Sequence, residues 1–340
     1  MDHQEETAVN NQTTSMEKTP FPVITHVNQF RDALNHFRTV FKQNKKPFPF
    51  VEKRLAPHHN RYSIFNYTFM TVDTFPEIPL TVETSETELE FYRIVREMRG
   101  TCFDLITGQC VSRGLQKFFN IDERESTKRH TINLNRRHLI LEKADGAMVC
   151  AMFAYVDHAA DTSLGIKHIR FRSKMGYDTD VSKESVEPFI YGAKFGQMAS
   201  YPTYVQSDLY DVSSIRVHSS GDLNDEIDGS RSNYLNFCFK WLQLNYSPIF
   251  EYVGPDNCIV LAYAEPKLIL LALRHNVDGH YVPYEQMYED AKKFGVSVVE
   301  AYRIEEENDD NSYEEDSNSL VSVATNGEVS SSDTPTTGSR

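Results

Sequence analysis

Four consecutive residues, Lys143-Ala144-Asp145-Gly146, hold the chain's clearest potential for chemistry. Lys143 closes an apolar run that begins at His138 and stands just ahead of a tight-turn pair. A lysine emerging from a sheet into a pocket is held by stiff neighbours. It becomes nucleophilic when burial or nearby cations depress its pKa. Such a lysine could attack the α-phosphate of ATP, forming a lysyl-AMP phosphoramidate and releasing pyrophosphate. Asp145 could orient the nucleotide, and Gly146 would let the backbone approach it closely. Taken alone, the same four residues also read as a solvated lysine beside a hairpin turn, and for so short a motif that is the commoner case.

Four further segments bear on the choice. They are Met98-Arg99-Gly100-Thr101-Cys102-Phe103-Asp104, Lys117-Phe118-Phe119-Asn120-Ile121-Asp122-Glu123, Phe171-Arg172-Ser173-Lys174-Met175-Gly176, and the apolar stretches around Glu251 from Pro248 to Leu271. Arg99, Lys117, Arg172 and Lys174 could neutralise a polyphosphate. Each segment also has a plain structural reading. Phe118-Phe119 could be a core aromatic pair, and Arg172 and Lys174 could be a solvated strand face. Glu251 inside an apolar strand is harder to explain that way, because a buried carboxylate needs partners.

The elements that must position these residues can be read from periodicity. Phe30, Leu34, Phe37 and Phe41 repeat at helical spacing, so Val27 to Gln43 is expected to be an amphipathic helix. Ser85 to Met98 is expected to be a second, with Ser85 and Glu88 as a capping box. Asn233 to Asn245 and Val282 to Phe294 are expected to hold two more. Expected strands are Arg61 to Val72, Gly100 to Leu105, Gly108 to Arg113, His138 to Lys143, Ala147 to Val156, Ile166 to Ser173, Pro248 to Val253, Cys258 to Tyr263 and Leu268 to Arg274. Thr107-Gly108 should turn one pair and Asp145-Gly146 another. Antiparallel strands with peripheral helices make the fold class α+β.

In this order, the segments resemble the ATP-dependent RNA ligases of the phage T4 RNA ligase 1 type and the related adenylyltransferase domains of fungal tRNA ligases. The resemblance covers roughly Arg61 to Ile304. It implies a nucleotidyltransferase fold, ATP-grasp-like in such ligases, with Lys143 as the catalytic nucleophile that becomes AMP-linked. By the same resemblance Arg99 contacts the nucleotide sugar, and Lys117 and Phe119 belong to an element needed for activity. Lys174 and Gly176 match a Ser-Lys-Gly element, and Asp145 and Gly146 complete the ATP-binding set. Glu251 matches an acid that contacts the ribose or a metal-bound water, which makes it the candidate metal residue. Phe65 and Tyr67 lie in the aromatic strand that precedes these motifs. The implied co-substrate and cofactor are ATP and Mg2+, the ion bridging phosphate oxygens with few protein carboxylates. The implied partner is RNA with a 5′-phosphate and a 3′-hydroxyl end.

Two family elements have no counterpart by sequence: an acid-glycine pair in an apolar run, and a later Lys-x-Lys strand that touches the α-phosphate. No Lys-x-Lys occurs after Lys267, so the last motif strands are expected to be missing. The chain could therefore be a truncated ligase, a catalytically impaired nucleotide- or RNA-binding pseudoenzyme, or one half of an enzyme completed by a second polypeptide. A capping-type guanylyltransferase shares the lysine chemistry, but nothing beyond residues 143–146 speaks for it.

Composition sets the outer bounds. The 340 residues, 40% of them hydrophobic, suffice for a sizeable core. The net charge is −14, but Ile304 to Arg340 contributes ten acids and one base, leaving −5 on the remainder. Phosphate binding answers to local charge, so this balance does not exclude nucleic acid. The five cysteines form no CxxC pair, which speaks against a zinc framework and fits a reducing, intracellular site, cytoplasmic or nuclear. No apolar stretch is long enough to span a bilayer. Residues 1–20 and 305–340 are polar or acidic and are expected to be disordered, with residues 21–304 forming the ligase-type domain.

Overall fold

A computed structural model describes residues 21–55, 61–79, 84–132, 138–155, 167–177, 179–191, 203–204, 217–218, 229–257 and 260–304. The expected terminal disordered segments lie outside these residues.

The chain opens with α1 (Val27–Gln43), whose buried face is Val27, Phe30, Ala33, Leu34, Phe37 and Phe41. His26 and Gln29 satisfy its first backbone groups as a capping box. β1 (Phe50–Leu55), β2 (Tyr62–Tyr67), β3 (Thr101–Asp104) and β4 (Cys110–Ser112) form a four-stranded antiparallel sheet in that order. Between β2 and β3 lies α2 (Glu86–Val95), its amide at Glu88 capped by the Ser85 hydroxyl at 3.2 Å.

A second antiparallel sheet has the spatial order Lys267–His275, Tyr246–Val253, Ala147–Tyr155, Lys167–Ser173, Thr203–Tyr204 and Val217–His218. Its long strands are β6 (Ala147–Tyr155), β7 (Lys167–Ser173), β10 (Tyr246–Val253) and β11 (Lys267–His275). Two short strands, β8 (Thr203–Tyr204) and β9 (Val217–His218), complete it. α3 (Glu187–Tyr191), α4 (Gly229–Gln243) and α5 (Tyr284–Lys293) serve the second sheet. A two-stranded ribbon pairs β12 (Ala301–Ile304) with β5 (His138–Leu141).

Alternation along the strands divides the core into layers. Phe65 and Phe103 turn outward from the first sheet onto α1 and α2. Val149, Ala151, Ile169, Phe171 and Phe250 turn outward from the second sheet onto α3, α4 and α5. Tyr62, Ile64 and Cys102 of one sheet meet Met152 and Ala154 of the other, with Tyr177 from just past β7, between them. The fold is thus α+β, two antiparallel sheets facing each other with helices outside.

Several expectations need correction. β5 and β6 do not form a hairpin across Asp145-Gly146: β5 pairs with β12, β6 lies between β10 and β7, and residues 142–146 cross from one to the other. Pairing is a non-local choice, and a turn-favouring dipeptide only permits a hairpin. The strand expected to reach Lys143 ends at Leu141, and the one expected to reach Val72 ends at Tyr67. Of the strand expected over 258–263, Cys258 and Ile259 lie outside the described residues, and 260–263 is loop. β1 and β12 were not anticipated. The thiols of Cys102, Cys110, Cys150 and Cys238 are free and buried. Among the described residues no helix is long and apolar enough to cross a membrane.

Candidate active site

Residues 142–146 are held at three points. The amide of Glu142 donates to the carbonyl of Glu300 at 2.9 Å, extending the β5–β12 ribbon by one step. Buried Asp145 receives the amides of Val260 and Leu261 on one carboxylate oxygen, the latter at 2.8 Å, while its own amide donates to the Tyr263 hydroxyl at 3.2 Å. Gly146 donates its amide to Glu251 Oε1 at 3.1 Å. A Cβ on Gly146 would lie 2.1 Å from the Tyr252 carbonyl oxygen. The glycine is therefore required by the close passage of β10, a tighter constraint than the approach of a nucleotide. Between these anchors the side chain of Lys143 is exposed.

Glu251 faces the gap between the sheets. It is opposite Met148 in the β10–β6 register, and Val149 is opposite Ser173 in the β6–β7 register. β7 ends at Ser173, and Lys174 lies in the turn that follows it. Burial pushes the Glu251 carboxyl up to about 7, against the opposing pull of the Gly146 amide and the Lys143 ammonium; Asp145 adds to the rise. Lys143 is thus close enough to Glu251 to be felt electrostatically.

Lys174 Nζ stands 3.3 Å from the centroid of the Tyr67 ring. Burial alone would raise the Tyr67 hydroxyl, but Lys174 and Arg99 together hold it below its ordinary value. Arg99 donates to the Gln116 carbonyl at 2.7 Å and lies 5.1 Å from the Phe118 ring. Its Nε is buried with no partner among the described residues. Lys117 lies 4.4 Å from the Phe119 ring and donates to the Phe118 carbonyl at 2.7 Å. Desolvation lowers the Lys117 ammonium; Glu123 opposes that shift, and Arg99 reinforces it. Gly100, at φ 93°, carries no Cβ because one would meet an Arg172 nitrogen at 2.9 Å and the Lys174 backbone at 3.1 Å. Gly176 closes the turn after β7, its carbonyl accepting from the Ser173 amide at 2.9 Å.

The anticipated residues therefore fall into two groups. Lys143, Asp145, Gly146 and Glu251 form one, and Arg99, Lys117, Phe119, Lys174 and Gly176 form the other, gathered around Tyr67 and the turn after β7. Arg172 does not join either as a phosphate ligand. It is fully buried, donating to the Ser112 hydroxyl at 2.9 Å and the Ser112 carbonyl at 3.2 Å. It forms the floor between the sheets, so it is neither solvated nor free for substrate. Sequence reasoning missed Arg96 and Arg124, which lie 5.3 and 4.8 Å from the Phe119 ring. No local spacing signalled them, since only the fold brings them to one aromatic side chain. A cavity lined by His138, Leu139, Glu285 and Arg303 lies at the opposite end of β5 from Lys143 and includes none of these residues.

Glu251 gives the domain a testable pH dependence. Its pKa is raised on folding, so its contribution to stability is full below the ordinary carboxylate range. That contribution is lost as pH rises through about 7. Glu251→Gln is expected to flatten this decline: between pH 5 and pH 8 the variant should gain melting temperature relative to the parent. An unchanged difference across that range would show that the carboxyl does not titrate there.

With this geometry established, comparison with known proteins defines the class. The chain belongs to the RNA ligase family, whose sequence profile matches residues 97–330. A Thermovibrio ammonificans protein assigned as an RNA ligase is 24% identical over 187 residues, covering 55% of this chain and 36% of its own length. A lysine-to-alanine mutant of Naegleria gruberi RNA ligase, determined with ATP and manganese, matches at 12% identity and TM-score 0.26, over 51% of this chain and 38% of that one. An Aquifex aeolicus protein assigned as an ATP-dependent DNA ligase matches at 11% identity and TM-score 0.38, over 80% and 51%. This chain thus spans between a third and about half of the length of these relatives. Overlaps so partial transfer no residue role to it.

Proposed function

We propose that this chain carries the nucleotide-transfer centre of an ATP-dependent RNA ligase. The observation that carries the reading is the anchoring of residues 142–146. The Glu142 hydrogen bond to Glu300 fixes the loop on one side of the exposed Lys143, and those of Asp145 and Gly146 fix it on the other, keeping it beside Glu251. In the first step Lys143 Nζ attacks the α-phosphate of ATP. The N–P bond forms, the bond from that phosphorus to the bridging oxygen breaks, and pyrophosphate leaves. In the second, a 5′-phosphate oxygen of RNA displaces the lysine and takes the AMP. In the third, the 3′-hydroxyl attacks the activated 5′-phosphorus, expels AMP and seals the strand.

All three steps depend on positioning and on charge placed where it develops. Arg99, Lys117 and Lys174, gathered near Tyr67, supply that charge. The unpartnered Arg99 Nε is a donor in reserve for an oxygen of the nucleotide. Glu251 fits a divalent ion such as Mg2+. Its carboxyl is strained by burial, and only one of its oxygens is engaged by Gly146. A bound ion would supply neutralisation of phosphate charge, and Glu251 would hold it directly or through water. Asp145 is committed to the 260–261 amides and orients the loop instead.

A second reading, a nucleotide- or RNA-binding protein impaired in catalysis, is favoured by the exposure of Lys143, since a nucleophilic lysine is commonly sheltered in its pocket. Incubation with α-labelled ATP and Mg2+, followed by a denaturing gel, separates the two. Label retained on the protein is expected for the ligase centre. Absence of label, with ATP binding intact, would establish the impaired form.

A further inference from the structure

A second cluster of ligating side chains lies away from this cleft. β11 ends at His275, and the turn after it carries Asp278 and His280. One ligand atom from each of the three lies within 4.8 Å of the other two. His275 Nδ1 is 2.8 Å from Asp278 Oδ1, and His280 Nδ1 contacts the same oxygen. Tyr246 is directly opposite His275 in the β10–β11 register. Its hydroxyl is 2.6 Å from His280 Nε2, and its ring lies 5.0 and 5.4 Å from the two imidazoles. Glu251 is five residues along β10 from Tyr246, so the cluster is roughly 17 Å from Glu251 at ~3.3 Å per strand residue.

The turn is half-buried, and its backbone is fixed from beneath. Arg113 donates to the Val277 carbonyl at 2.8 Å and Arg274 Nε to the Gly279 carbonyl at 3.0 Å. The Asn276 side-chain oxygen receives the Ser247 hydroxyl at 2.7 Å, and the Asn276 amide donates to the Asn245 carbonyl at 3.0 Å. The three side chains therefore stand on a scaffold set by buried groups, as a preorganised ligand set requires.

We propose that His275, Asp278 and His280 bind one divalent transition-metal ion of the zinc class. Two imidazoles and one carboxylate suit Zn2+, Co2+ or Ni2+, whereas Mg2+ and Ca2+ prefer all-oxygen sites. The partial exposure of Asp278 and His280 leaves the fourth position of a tetrahedron to water. The ion takes the place of the protons now shared between the two Nδ1 atoms and Asp278. His280 then carries its proton on Nε2 and donates it to the Tyr246 oxygen. That is the outer hydrogen bond by which proteins commonly orient a ligating imidazole. Ion binding would lock the 276–280 turn onto β10, whatever reaction the cleft performs.

The test uses the full chain, stripped with EDTA and desalted, and titrated with CoCl2. A one-to-one saturating visible absorption of the tetrahedral type is expected, bleached by an equivalent of Zn2+ and unaffected by excess Mg2+. The double variant Asp278→Ala/His280→Ala should weaken Co2+ binding at least about 100-fold, and Tyr246→Phe by about 10-fold. His280→Gln serves where circular dichroism shows the double variant unfolded. Zn2+ should raise the melting temperature of the parent and not of the folded variants. The same absorption in a folded variant would assign binding to other histidines among the chain's 12 and overturn the proposal. So would a parent protein with no saturable one-equivalent binding, which would leave the cluster a hydrogen-bonded clamp only.

Discussion

Substitution of Lys143 by alanine is expected to abolish covalent labelling of the chain by α-labelled ATP while leaving the fold intact. The side chain is exposed, and the loop around it is held by backbone and by Asp145, so its removal leaves no cavity and no orphaned partner. The chemistry, in contrast, has no substitute: a nucleophile is either present at the phosphorus or absent. The loss should exceed about 1,000-fold in rate, corresponding to more than about 4 kcal/mol of barrier. Lys143→Arg should fail equally, because a guanidinium stays protonated near neutral pH. Glu251→Ala should behave differently, lowering the rate of labelling without removing the site of attachment. Label persisting in either Lys143 variant would move the nucleophile elsewhere and overturn the proposed reaction.

The largest expected effect on stability falls on Glu97. Its carboxylate receives Arg113 at 2.9 and 3.2 Å and Arg274 at 2.7 and 2.8 Å, and all three side chains are essentially buried. Burial opposes the charge, yet the two guanidinium groups hold the Glu97 carboxyl below its ordinary range. Arg113 arrives from just past β4 and Arg274 from β11, so this one carboxylate ties the two sheets together. It also fixes the backbone two residues ahead of Arg99. Glu97→Ala would leave two buried cations uncompensated, at a cost of about 3–5 kcal/mol. For a domain stable by only about 5–15 kcal/mol, that is a fall in melting temperature on the order of 10 °C. Because the carboxyl is depressed, its contribution is present above the ordinary carboxylate range and lost as acid protonates it, so the variant should differ least from the parent at low pH. A shift of only a degree or two by scanning calorimetry would show that the network contributes little beyond its desolvation cost.

What the sequence by itself determined were the features encoded within a few residues. The helix Val27–Gln43 follows from its apolar spacing, and the start of α2 from the Ser85 cap. The β3–β4 turn at Thr107-Gly108 was legible because Gly108 takes φ 72°, a value glycine adopts without cost. Lys143, Asp145 and Glu251 were legible as types and order, although their separations gave no distances. The tertiary structure alone decided that β5 would leave β6 for β12, since an apolar run does not name its partner. It decided that Arg172, inside β7, would be buried on Ser112 while Lys174, in the turn just past the strand, reached Tyr67. Alternation assigns a face, but whether that face meets water, substrate or a second sheet depends on what packs there. It also decided that the loop at 260–261 would cap Asp145, a contact across 115 residues that exists only because β10 and β6 are neighbours.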